Sequence, residues 1–235
     1  MLDHFSLFDF TAWYLVFLVS TAAHEGAHAL AALKLGDDTA YRGGQATLDP
    51  SPHMKREPFG MVIVPVLSYI LGGWMIGWAS APYNPQWALR NPRSAGLMAL
   101  AGPAANLILL LGAAILIHAG MAVGWFDAPF HVSFAQVAHA KREGFVYLAG
   151  VLLSLVFSLN LLLFVFNLVP LTPLDGASAP LLFLSESASV KYWTFLRTPG
   201  VAVFGMIVAW NAIGPLFQRL HIMAVNALYP GSNYL

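Results

Sequence analysis

The stretch Ser20–Asp37, STAAHEGAHALAALKLGD, sets His24, Glu25 and His28 inside an otherwise apolar run. Together they form H-E-x-x-H. On a helix, residues four apart lie one turn apart on one face, so both imidazoles can reach one metal ion. Glu25 sits about 100° around the helix from His24, beside such an ion without having to bind it. A carboxylate in that place suits removal of a proton from water. Zinc suits the set, because neutral imidazoles bind it well and it lowers the pKa of water it holds to about 7. Gly26 and Ala27 are small and leave the opposite face free to pack closely.

A charged residue at the centre of a membrane span costs about 2.5–3.5 kcal/mol on the insertion scale. Ionisable groups inside a span are therefore functional by default, the plainer alternative being core histidines satisfied by carbonyls. A catalytic zinc takes three protein ligands and keeps one position open. No second H-E-x-x-H and no downstream His at metzincin spacing occurs, so the third ligand must come from another segment. Asp175 is the outstanding candidate, at the end of FNLVPLTPLDG, Phe166–Gly176. Pro170 and Pro173 cannot continue a helix and push Val169 and Thr172 toward extended backbone. The spacing predicts a helix that stops near Asn167–Val169, an extended Pro170–Leu174 that presents Asp175, and a tight turn at Gly176. Non-helical backbone at membrane depth survives only where protein covers it or water reaches it. The alternative is an interfacial loop in which Asp175 caps the next helix.

The elements that must position these residues follow from composition. Of 235 residues, 58% are hydrophobic and 9% charged, against about a quarter charged in soluble domains. Four apolar segments, Phe10–Leu33, Ser94–His118, Phe145–Val169 and Pro199–Leu216, are near or above the ~20 residues that cross a ~30 Å core. Phe59–Ser80 is equally apolar but carries Pro65, Gly72, Gly73 and Gly77. The fold class expected is an all-α polytopic membrane protein. It has four to five transmembrane helices, a re-entrant hairpin, and a broken helix at the active site. Residues 1–235 read as one membrane domain, with a catalytic core at about 10–180 and a C-terminal helix at about 199–220; residues 1–35 read as a retained span, not a signal peptide. Net charge is zero and no basic run occurs, so no nucleic-acid partner is expected. With no cysteine in the chain, thiolate metal sites and Cys nucleophiles are excluded.

Parity argues for the hairpin. His24, His28 and Asp175 all lie toward the C-terminal ends of their helices, so the helices at 10–33 and 145–169 must run the same way to meet at one depth. One of the two intervening segments then does not cross, and Pro65 with Gly72–Gly73 makes 59–80 that segment. Lys34, Arg42, Lys55, Arg56, Arg90, Arg93, Lys191 and Arg197 then share one side, with Lys141, Arg142 and Arg219 on the other. The bias puts the metal nearer the cytosolic side.

The chain resembles the site-2 protease family of intramembrane zinc metalloproteases (peptidase M50-like). HEGAH, AGPAANL (Ala101–Leu107) and NLVPLTPLDG (Asn167–Gly176) match its H-E-x-x-H, G-P-x-x-N and N-x-x-P-x-x-x-L-D-G motifs in order. The likeness also runs through LKLGD (Leu33–Asp37), TLDPSPH, PFG (Pro58–Gly60) and YNPQWALRNPR, and covers roughly residues 20–180. It implies His24, His28 and Asp175 as ligands of one zinc ion per chain and Glu25 as the catalytic carboxylate. Asn106 and Asn167 fall on the family's Asn positions, near substrate or the developing oxyanion; helix packing is the alternative for both. His53 lies on a frequent family histidine, with a plain loop histidine as the alternative. The chain departs from the family at Gly43–Gly44, where a basic residue is usual, at Asp49 in place of Asn, and at Ala177-Ser178 after LDG, where G-R or S-R is common. A compact form without PDZ or CBS modules is expected.

The resemblance implies hydrolysis of a peptide bond in or near a transmembrane segment of a membrane-protein substrate, that is, regulated intramembrane proteolysis. The partners are a transmembrane protein or peptide and the lipid bilayer, and the location is a prokaryotic plasma membrane. Thr39–Leu48, TAYRGGQATL, could supply an edge strand that pairs with the unwound substrate, with a simple surface loop as the alternative. A non-proteolytic membrane metal-binding or transport protein would use the same residues as an ion pathway.

Overall fold

The computed structural model describes residues 6–198 and 200–235; residues 1–5, the start of the stretch read from sequence as a span, and Pro199, the start of the fourth apolar segment, lie outside it. Among the described residues, four helices are long and apolar enough to cross a membrane: α1 (Leu7–Lys34), α6 (Pro92–Ala122), α7 (Phe145–Asn167) and α9 (Val201–Leu228). Each exceeds the ~20 residues a crossing needs. They extend past the segments read from hydropathy because polar caps and interfacial turns continue the helices. Ser6, for example, caps α1 through its hydroxyl, which accepts from Asp9 N at 3.1 Å. Ile108, Leu111 and Ile115 on α6 and Val203, Phe204 and Ile207 on α9 turn outward, as apolar side chains do when lipid is the solvent.

Shorter elements carry the chain between the spans. α2 (Thr39–Arg42) and α3 (Pro50–Arg56) follow α1. A π-helical turn at Phe59–Ile63 then leads into α4 (Val64–Gly72), which stops at Gly73 with φ at +76°. The chain returns from there. Ile76 N donates to Ser68 Oγ (2.9 Å), and Trp78 N donates to Gly60 O at 3.1 Å. A methyl on Gly77 would overlap Gly60 O and the Phe17 ring, so only glycine lets the returning segment lie this close. Phe59–Ser80 therefore ends where it began, as a hairpin. α5 (Pro85–Arg90) leads on into α6.

The spans run in the directions that parity requires. Along α1 and α7, Phe8 stacks on Tyr147 and Ser20 meets Asn160, so the pairings advance together and the helices are parallel. Along α6 the order is reversed, with Asn106 beside His24 and Met98 beside His28. At the end of the bundle away from these histidines, β1 (Phe126–Asp127) pairs antiparallel with β2 (His139–Ala140). Phe126 fills the notch left by Gly120 and packs with Ile117, Val137, Phe157 and Val225. After α7 the chain forms tight turns, a 3-10 helix at Asp175–Leu182, and α8 (Glu186–Leu196).

Two local expectations are corrected. Thr39–Leu48 holds no strand: Thr39–Arg42 is a helical turn, and the loop beyond lies across α1, where a Cβ on Gly26 would sit 2.6 Å from Thr47 O. The glycine at 26 serves this crossing. Residues 168–174 form successive turns, Leu171 N to Val169 O at 2.8 Å and Leu174 N to Leu171 O at 2.9 Å, in place of an extended run. Gly176 is needed for close approach to the Leu168 and Val169 carbonyls, and its φ is not positive.

Candidate metal centre

Two helical elements bring the donor atoms together. α1 offers His24 and His28 one turn apart, buried at 7% exposure each. The turns after α7 return Asp175 to them at the start of the 3-10 helix. His24 Nε2 and His28 Nε2 lie 3.0 Å apart, and Asp175 Oδ2 lies 3.0 Å from the first and 3.3 Å from the second. A tetrahedral zinc site with bonds of 2.0–2.1 Å has edges of about 3.3 Å. The triangle fits that ion.

Proton positions strengthen the fit. His24 Nδ1 donates to Asn106 Oδ1 at 2.6 Å and His28 Nδ1 to Met98 O at 2.8 Å. Each neutral imidazole has one N–H, so both Nε2 atoms present bare lone pairs. Asp175 Oδ2 is enclosed and receives no hydrogen bond. With both rings neutral, three acceptors converge with no donor among them, an arrangement that a bound cation satisfies.

α6 passes close by because of Gly102. A methyl there would lie 2.6 Å from His24 Nε2 and would overlap His28 Nε2. The side of the helix nearest the donors is bare backbone, which leaves room for an ion. Gly96, one face further along, admits Ser178 O and Leu182 of the 3-10 helix. Tyr192 on α8 holds the 3-10 helix from the other side, its hydroxyl donating to Ala177 O at 2.7 Å. Burial pushes the Tyr192 phenol up, which keeps it a donor.

A cavity of about 240 Å³ opens on the cluster, lined by Glu25, His28, Asp175, Ser80, Tyr83 and Trp193 among others. The Glu25 carboxylate lies within 4.8 Å of both imidazoles. It is buried, and no hydrogen bond or ion pair engages it among the described residues. It is placed to take a proton from water in the cavity. Asp37, in LKLGD, accepts from Thr39 N and Asn84 N and so ties the chain after α1 to the segment that carries Ser80 and Tyr83.

Of the residues singled out from sequence, His24, Glu25, His28 and Asp175 stand together. Asn106 lies behind His24, wholly enclosed, with Oδ1 on the ring nitrogen that faces away from the cluster. Asn167 bonds back to Leu163 O in its own helix and does not line the cavity. His53 is buried on α3, with Nε2 at 3.3 Å from Thr47 O, and does not line the cavity. Sequence reasoning passed over Asn160, which bonds Asn106 and Ser20. A lone amide in the run SLNLLLFVF was the signal available.

Comparison with known proteins agrees with this geometry. The chain is 39% identical over 162 residues, 68% of its length and 63% of the relative's, to "Putative zinc metalloprotease YwhC" of Bacillus subtilis. It is 31% identical over 184 residues to "Putative zinc metalloprotease Rip2" of Mycolicibacterium smegmatis, covering 76% of this chain and 61% of that protein. The protein of the same name from Mycobacterium tuberculosis is 35% identical over 165 residues, 69% of this chain and 53% of that one. The chain thus spans less than two thirds of the length of these curated relatives. No family model matches the chain, and no solved structure gives a significant match. The ordered motifs and these zinc metalloprotease relatives place the chain in the site-2 protease family.

Proposed function

We propose that this protein is an intramembrane zinc metalloprotease, an endopeptidase that cuts membrane-protein substrates in or near their spans. The observation that carries the reading is the triangle of bare donors, 3.0–3.3 Å on a side, opening on a cavity beside an unengaged carboxylate. His24, His28 and Asp175 would hold one zinc ion per chain, which when bound supplies Lewis acidity toward a carbonyl and toward water.

The chain's own groups do the rest. Glu25 takes the proton of the attacking water and passes it to the leaving nitrogen. Burial among apolar helices keeps bulk water from the site and strengthens each charge interaction there. A helical substrate hides its carbonyls in hydrogen bonds, so the cut segment unwinds before it enters the cavity. The eight-to-three division of Lys and Arg supports a plasma-membrane orientation with the site nearer the cytosol, consistent with regulated intramembrane proteolysis.

The test uses Glu25→Gln in the detergent-solubilised full chain and a reporter polypeptide with a single apolar span broken by Asn-Gly. The variant is expected to bind zinc and to lose cleavage by about 10²–10⁴-fold. Cleavage at the wild-type rate would overturn the mechanism. Metal flux through vesicles that survives the substitution, without cleavage by wild type, would favour a transport protein.

A further inference from the structure

The geometry points to Asn160 as a positioning residue for the metal site, one that sets the proton on His24 through the amide of Asn106. The inference rests on reading the triangle as a zinc site.

The chain of reasoning begins at a backbone carbonyl. Asn160 Nδ2 lies 2.8 Å from Val156 O and 2.9 Å from Ser20 Oγ. A carbonyl only accepts, so the NH₂ end of the Asn160 amide must face Val156. Its Oδ1 then faces Asn106 Nδ2, at 2.8 Å. Asn106 can answer an oxygen only with its NH₂ end, which leaves Asn106 Oδ1 toward His24 Nδ1, at 2.6 Å. An oxygen there requires the proton on Nδ1, so Nε2 keeps the lone pair that a metal needs. Ser20 O, 3.5 Å from Asn106 Nδ2, faces the same end and agrees with this polarity.

Each link is enclosed. Asn106 and Asn160 are 0% exposed and Ser20 1%, so water cannot substitute for a missing partner. The two ligands are thereby set in different ways. His28 donates directly to a backbone carbonyl, Met98 O, whose direction is fixed by the helix. His24 reads a side-chain amide, which could turn over by itself and present NH₂ to Nδ1. Asn160 removes that freedom. With Asn160 replaced by an apolar residue, a reversed Asn106 would favour His24 protonated on Nε2, the tautomer that cannot ligate.

The experiment measures zinc affinity by chelator competition on the full-length protein in detergent, with histidine tautomers read by ¹⁵N NMR. Asn160→Leu should weaken zinc binding about 10–100-fold, the range for lost outer partners of a ligand, and shift the apo His24 signal toward the Nε2–H form. Asn160→Asp, which has nearly the same shape and keeps an oxygen acceptor toward Asn106 Nδ2, should restore most of the affinity. In an Asn106→Leu background, Asn160→Leu should cost nothing further, because the relay is already cut. Wild-type affinity in Asn160→Leu, or losses that multiply in the double variant, would overturn the relay. Failure of the wild type to bind zinc would instead overturn the metal reading, and the relay's role with it.

Discussion

The Nε2 atoms of His24 and His28 face each other at 3.0 Å, and in the neutral rings, with each Nδ1 turned to an oxygen, both are acceptors. Asp175 Oδ2 closes the triangle as a third acceptor. In the absence of a cation these lone pairs repel in surroundings that screen poorly. Zinc should therefore stabilise the fold as well as activate it. Chelation is expected to lower the thermal transition, and zinc at a thousandfold excess over its Kd to raise stability by about 4 kcal/mol. Scanning calorimetry in detergent with and without zinc checks this; a transition unmoved by zinc would contradict the site.

The two carboxylates should separate cleanly. Asp175 Oδ2 touches both imidazoles, whereas Glu25 stands beside them. Asp175→Asn is expected to reduce zinc affinity at least tenfold and to abolish cleavage. Glu25→Gln should leave zinc affinity near wild type and remove cleavage alone. Equilibrium dialysis of both variants, paired with the reporter assay, distinguishes ligand from proton carrier. Equal zinc loss in the two would make Glu25 a ligand.

Gly102 tests the fit of α6 against the donors. Gly102→Ala places a methyl 2.6 Å from His24 Nε2 and closer to His28 Nε2. We expect zinc binding weakened by tenfold or more and a strain of about 1–3 kcal/mol, the usual cost of overpacking. Zinc competition and thermal melts measure both. Wild-type affinity would show that α6 stands further from the imidazoles.

The hairpin makes a topological prediction. Lys55 and Gln86 flank Phe59–Ser80, and Trp78 N bonds Gly60 O across its base. The chain has no cysteine, so single replacements label cleanly. Lys55→Cys and Gln86→Cys should react with a membrane-impermeant maleimide from the same face, and Glu143→Cys from the other. Labelling of the first two from opposite faces would make 59–80 a crossing and break the parallel relation of α1 and α7.

The sequence by itself determined the class of fold and the chemistry on offer. Long apolar runs with few charges have one solvent in which they are stable, and H-E-x-x-H on a helix puts two imidazoles on one face whatever surrounds them. The two prolines after Asn167 also made the end of α7 legible, since a proline cannot continue a helix. The hairpin followed from the parity of the helices that carry His24, His28 and Asp175, with Pro65 and the paired glycines choosing the segment. The tertiary structure decided what depends on contacts between distant segments. It made the backbone after α7 turn where an extended run was expected, because Gly176 packs under the Leu168 carbonyl. It put a helical turn at Thr39–Arg42, with the loop beyond pinned over Gly26. It set Asn106 behind His24, and it joined Asn160 to Asn106 from another helix. An amide's direction is set by the partner at its far end. That partner lies in another span, 54 residues along the chain, where no local pattern reaches.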